Sequence, residues 1–185
     1  MIDDVLKDAT RRMDKSVESA RHEFTTVRTG RAAATLLDRV QVSAYGTKMP
    51  VNQLATIGVP EPRLLTITPF DKSIMRDIEK SILESDLGLT PNNDGQVIRL
   101  PIPELTEERR KELVKVVRHI AEDGRVAIRN IRRDVMHDLR ELRDAGEAGA
   151  DDEHRAEEAL QKLTDEKVRE LDGLLKAKED EILEV

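Results

Sequence analysis

Between residues 107 and 143 the chain carries eleven basic and eight acidic side chains, and most of the basic ones are arginine. Wound as a helix at about 100° per residue, Lys111, Lys115, Arg118, Arg125, Arg129, Arg132, Arg133, Arg140 and Arg143 fall in one arc about 100° wide. The run from 111 to 143 spans about 48 Å at helical rise. A guanidinium presents a planar fork of donors that matches phosphate oxygens in pairs. The stretch Arg125-Val-Ala-Ile-Arg129-Asn-Ile-Arg132-Arg133 is the densest part. Two chemistries fit: phosphate recognition, or a solvated face bridged to the acidic end of the chain. With only Phe24, Phe70 and Tyr45 as aromatics, no platform exists for stacking splayed bases. RNA bound here would be met through its backbone and shape, which suits folded RNA.

Arg28-Thr29-Gly30-Arg31 is a second candidate, with two arginines around a glycine that lets the backbone turn. A plain helix C-terminus with cations at its negative end explains the same residues. Signatures of catalysis are missing: no GxxxxGK[ST], GxSxG or GxGxxG occurs. There is no cysteine, and His22, His119, His137 and His154 have no ligand spacing. The expectation is a protein that is not an enzyme and needs no cofactor or metal.

These residues must be positioned by helices. Ile2, Leu6, Ala9, Met13, Val17, Ala20, Phe24 and Val27 recur at steps of three and four, predicting a helix that stops at Thr29-Gly30. Thr106 is a candidate N-cap for a second helix, with Glu107 and Glu108 in its first turn. Its seam runs Leu113, Val117, Ile120, Gly124, Ile128, Ile131, Val135, Leu139 and Leu142. Gly124 in that seam points to close helix approach. Gly146-Glu147-Ala148-Gly149 breaks the pattern, and Asp151 or Asp152 can cap a last helix. Ala156, Leu160, Leu163, Leu171, Leu174 and Ile182 form its seam, with Lys167 and Lys178 as flaws.

Residues 31–105 follow another pattern. All seven prolines lie here. Val40 and Val42 alternate with polar residues before a Tyr45-Gly46 turn, and 64–68 and 97–100 read as further strands. Ile74, Ile78 and Ile82 space as a short helix ended by Gly88, and Asn92-Asn93-Asp94-Gly95 reads as a turn. The expected class is α+β: an antiparallel three-helix bundle from 1–30 and 106–185, with a small α/β domain, rich in strands, inserted at 31–105. Thr29, Gly30 and Arg31 on one crossing, and Pro103, Glu104, Leu105 and Thr106 on the other, are expected to act as a hinge.

Net charge is −7, but residues 144–185 alone carry six basic and fifteen acidic side chains. The local field around 107–143 is therefore positive, and that is what a phosphate feels. No apolar run is long enough for a membrane span, and Asp3, Asp4 and Asp8 do not fit a signal peptide. A cytoplasmic protein without membrane contact is expected.

The segments TVRTGRAA (26–33), DLGLTPNNDG (86–95), LTEERRKELVK (105–115), RVAIRNIRRD (125–134) and KLTDEKV (162–168) together resemble the bacterial ribosome recycling factor family from end to end. The resemblance implies an L-shaped outline similar to tRNA and a hinged small domain. It implies binding to the post-termination ribosome, with Arg28, Gly30, Arg31, Arg129, Arg132 and Arg133 toward ribosomal RNA of the large subunit. It further implies that the small domain meets elongation factor G, whose GTP drives dissociation into subunits with release of mRNA and tRNA. Initiation factor 3 would then prevent rejoining. A monomer is expected; the alternative is a coiled-coil scaffold that oligomerises through the helical seams.

Overall fold

The opening seam becomes helix α1, Ile2–Thr26, in a computed structural model that describes residues 1–184. Ala9, Met13, Val17, Ala20 and Phe24 form its buried face. The helix stops three residues before the predicted Thr29-Gly30. Thr25 and Thr26 turn their hydroxyls onto the carbonyls of His22 and Glu23, at 2.6 and 2.7 Å. Such local bonds compete with helix propagation. Val27 is then extended and buried, its N–H closing on the Phe24 carbonyl.

Two compact units are present: Met1–Thr29 with the chain from Thr106 onward, and Gly30–Leu105. The remaining elements of the first unit are two long helices, Glu107–Asp144 and Ala150–Leu183. They are separated from α1 in sequence by the elements of the second unit.

That second unit begins with a hairpin of β1, Gln41–Ala44, and β2, Thr47–Pro50. Tyr45 and Gly46 both take positive φ, 54° and 78°, which matches the tight turn that a twisted hairpin favours. After a single helical turn, α2 (Val51–Leu54), come β3 (Ala55–Glu61), β4 (Leu64–Pro69), α3 (Met75–Glu84), β5 (Asn92–Asn93) and β6 (Ile98–Pro101). The last four strands form an antiparallel sheet in the order β3-β4-β6-β5. Leu65 and Ile67 of β4, Ile98 and Leu100 of β6, and Ile78 and Ile82 of α3 lie in its own buried core.

Three local expectations are corrected. β3 was not apparent from sequence, because Gly58 and Pro60 interrupt it; it is an edge strand with a register shift between Gly58 and Glu61, where proline is tolerated. Asn92 and Asn93 pair with β6 instead of turning. The turn begins at Asp94, whose carboxylate accepts from the N–H groups of Gln96 and Val97. Finally, α3 ends at Ser85 instead of Gly88; the Ser85 hydroxyl donates to the Ile82 carbonyl at 2.6 Å.

In the helical unit, α4 is Glu107–Asp144 and α5 is Ala150–Leu183. Arg12 meets Asp134, and Ala20 lies beside Gly124, so α4 runs antiparallel to α1. Arg118 meets Glu179 and Arg125 meets Asp172, so α4 runs antiparallel to α5 as well. The apolar stripes of the three helices are buried against one another, and Ala121 joins the α4 seam where Ile120 was expected to lead. The cap of α5 is Gly149, not Asp151 or Asp152; both aspartates lie within the first turn, where the helix dipole favours them. The two seam lysines are accommodated by pairing. Lys167, 13% exposed, places Nζ 2.6 Å from Asp14, and Lys178 places Nζ 3.3 Å from Glu181. Their stems stay buried while their charges are answered.

Candidate nucleic-acid interface

Helix α4 begins where the sequence predicts. The Thr106 hydroxyl accepts from the Arg109 N–H at 3.1 Å, with Glu107 and Glu108 in the first turn. From there Leu113, Val117, Ala121, Gly124, Ile128, Ile131, Val135 and Leu139 are buried. That face fixes the rotation of the helix, so the basic arc must lie on the other side.

The arc splits into two edges. Arg118, Arg125 and Arg132 recur every seven residues along the edge beside α5. Arg118 Nε is 2.8 Å from Glu179 Oε1. Arg125 donates from Nε and Nη2 to Asp172 at 2.8 and 2.6 Å, and from Nη1 to Glu122 at 3.0 Å. Burial alone would lower the Arg125 pKa, but the bonds and charges of Asp172 and Glu122 outweigh it and hold the guanidinium above its ordinary value. At the end of the helix, Arg143 pairs with Asp144 and, at 2.9 Å, with the buried Glu153 of α5. These two carboxylates raise its pKa, the hydrogen bond to Asp144 foremost.

Arg129, Arg133 and Arg140 form the outward edge. Arg129 has only a long contact, 3.7 Å from Glu122. Arg133 and Arg140 make no hydrogen bond or ion pair among the described residues. With Arg132, Met136, His137 and the carboxylates Asp134 and Asp138 they line one shallow open hollow. Arg132 is half-buried and donates Nη1 to the amide oxygen of Gln161 at 3.1 Å.

Of the six arginines singled out in the sequence, Arg129, Arg132 and Arg133 therefore come together as one surface. Arg125 adjoins them but is engaged by α5. Arg28 is exposed beyond the last turn of α1. The register of α1 on α4 puts it about 20 Å along the bundle axis from Arg129. Arg31 belongs to the other unit. Of the expected hinge residues, Thr29 and Thr106 end the helical unit, and Gly30, Arg31, Pro103, Glu104 and Leu105 belong to the second. Gly30 has φ +77°, and a Cβ there would meet Leu105 Cγ at 3.1 Å, so the two crossings touch. The Thr29 hydroxyl donates to Glu181 of α5 at 2.8 Å.

Sequence reasoning missed Gln161. The signal was present: Glu179, Asp172 and Asp165 share the seven-residue spacing of the α4 arginines they face. Among the described residues no cluster of His, Asp and Glu could hold a metal ion, and no helix is long and apolar enough to cross a membrane.

The fold and the arginine-lined helix define a helical-bundle protein that carries an inserted antiparallel α/β unit. A family model described as Ribosome recycling factor matches residues 20–183. The ribosome-recycling factor of Rubrobacter xylanophilus is 59% identical over 180 residues, spanning 97% of this chain and 97% of that one. The ribosome-recycling factor of Carboxydothermus hydrogenoformans is 56% identical over 185 residues, spanning 100% of both. A ribosome recycling factor solved in solution matches with a TM-score of 0.73 at 42% identity, over 100% of this chain and 98% of that one. A second match, at TM-score 0.63 and 44% identity over 99% of both chains, comes from a structure of T. thermophilus ribosome recycling factor and E. coli elongation factor G bound to the E. coli post-termination complex. The chain belongs to the ribosome recycling factor family.

Proposed function

We propose that this chain binds the post-termination ribosome and, with elongation factor G and GTP, promotes its dissociation into subunits with release of mRNA and tRNA. It does so as a cytoplasmic monomer without catalysis of its own; the GTPase supplies the energy. The observation that carries the reading is the outward edge of α4, where Arg133 and Arg140 have no partner among the described residues, Arg129 has only its 3.7 Å contact with Glu122, and Arg132 is held by the neutral amide of Gln161. Guanidiniums in a row with so little carboxylate answering them suit the phosphates of large-subunit ribosomal RNA. The T. thermophilus relative, described with elongation factor G on a post-termination complex, supports the choice of partners. Initiation factor 3 would act afterwards, holding the subunits apart.

The crossings at Thr29–Arg31 and Pro103–Thr106 serve in this reading as the hinge through which the small unit is moved, and Arg28 and Arg31 as further RNA contacts beside it. The scaffold alternative loses its basis, because the stripes of α1, α4 and α5 are already buried against one another. Light scattering tests the function. Post-termination ribosomes mixed with this protein, a matched elongation factor G and GTP should lose scattering only when all three are present. No loss with a folded protein and an active matched factor would reject it.

A further inference from the structure

Arg118, Arg125 and Arg132 face Glu179, Asp172 and Asp165, three acidic residues at the same seven-residue spacing on an antiparallel helix. The first two rungs of this ladder are direct ion pairs, at 2.8 and 2.6 Å. The third is not. Arg132 donates Nη1 to Gln161 Oε1 at 3.1 Å, and Gln161 Nε2 donates to Asp165 Oδ1 at 2.9 Å. An amide stands between the guanidinium and the carboxylate. Its orientation is set from both sides: the arginine offers only donors and the carboxylate only acceptors, so the oxygen must face Arg132 and the NH2 group Asp165.

A carboxylate at this place would orient Arg132 and cancel its charge together, as Asp172 does for Arg125. The amide separates the two effects. A neutral acceptor fixes the guanidinium on its way out of the half-buried edge, yet leaves the full positive charge available to a phosphate. We infer that Gln161, aligned by Asp165, is a positioning residue that holds Arg132 ready for phosphate while shielding it from the acidic face of α5. The inference rests on the reading of α4 as the RNA-facing helix. It identifies Gln161 as the residue that marks where the arginine row stops being structural and starts being a contact surface.

The test is binding of the full chain to purified large ribosomal subunits over a series of salt concentrations, with melting temperature measured beside it. Gln161→Glu should complete the third rung: the melting temperature holds or rises, while affinity falls about five-fold and the slope against salt drops by about one contact. Gln161→Ala removes the hold on Arg132 but adds no charge, so it should lose less affinity, about two- to three-fold, with the slope against salt unchanged. Arg132→Gln should lose at least as much affinity as Gln161→Glu. If Arg132→Gln weakens binding while Gln161→Glu binds like the parent, the shielding role is overturned and the RNA-facing reading stands. Equal losses in Gln161→Glu and Gln161→Ala also overturn it, since the hydrogen bond alone would then matter. If Arg132→Gln binds like the parent, the reading of α4 fails and the inference falls with it.

Discussion

A Cβ on Gly124 would lie 2.8 Å from Cδ2 and 3.3 Å from Cδ1 of Leu171, a side chain with no exposed surface. Helices α4 and α5 approach here as closely as a glycine permits, with Ala20 of α1 completing the contact at 3.6 Å. Gly124→Ala would gain about 1 kcal/mol of helix propensity. Forcing a fully buried leucine aside costs about 1–3 kcal/mol. The expected result is a net loss of about 1 kcal/mol in urea denaturation. Unchanged stability would show that Leu171 has room to move.

The two edges of the α4 arc should separate in experiment. Arg133→Gln with Arg140→Gln should weaken binding to large subunits about ten-fold or more and leave the melting temperature unchanged. Arg125→Gln should lower stability by about 1 kcal/mol, because Asp172 and Glu122 lose their partner. Its effect on binding should be the smaller one. The reverse pattern, with Arg125 dominating affinity, would remove the distinction between the edges.

Removing the Thr106 hydroxyl should loosen the start of α4. Thr106→Ala leaves the Arg109 N–H without its acceptor and should cost about 1 kcal/mol. Amide exchange is the direct check: protection should fall in residues 107–110 and persist in the middle of the helix. Uniform protection along α4 would mean that another group takes over the cap.

The turn of the small unit carries a pH signature. The Val97 N–H, then the Arg99 guanidinium and the Gln96 N–H, hold the Asp94 carboxyl at about 2, well below its ordinary 3.8. A lowered carboxylate contributes stability above its unfolded value and loses it as the pH falls. The contribution should be complete above 3.8 and fade as the pH falls through about 2. An NMR titration of the Asp94 side chain should show a midpoint near 2; a midpoint at the ordinary value would break the account. Asp94→Asn should lose stability at neutral pH and match the parent in strong acid.

Periodicity made the helices legible because each buries a single stripe, and one stripe leaves a clear period in the sequence. Thr106 was readable for the same local reason: a cap is a short-range bond. β3 was hidden by Gly58 and Pro60, whose tolerance depends on an edge position that only the assembled sheet reveals. The end of α1 was misplaced because Thr25 and Thr26 redirect their hydroxyls to the backbone, an outcome their helical spacing does not show. In the candidate site, the arc of arginines was visible but its division was not. That division depends on which side chains of α5 stand opposite, a relation between segments tens of residues apart. Arg125 and Arg132 look alike in the sequence and differ only by facing Asp172 and Gln161.

The order of elements along the chain has a consequence for how the protein comes off the ribosome that makes it. Helix α1 emerges well before the helices that cover its apolar face, which are synthesised only after residue 106. The unit from Gly30 to Leu105 has a core of its own and is complete while α4 is still being translated. A nascent chain therefore carries a finished small unit and an orphan amphipathic helix for the time taken to add about eighty residues, some 4–16 s at ordinary bacterial rates. The seam of α1, with Phe24 its single aromatic and charged side chains flanking it on every turn, is the kind of surface that can wait in water that long without aggregating.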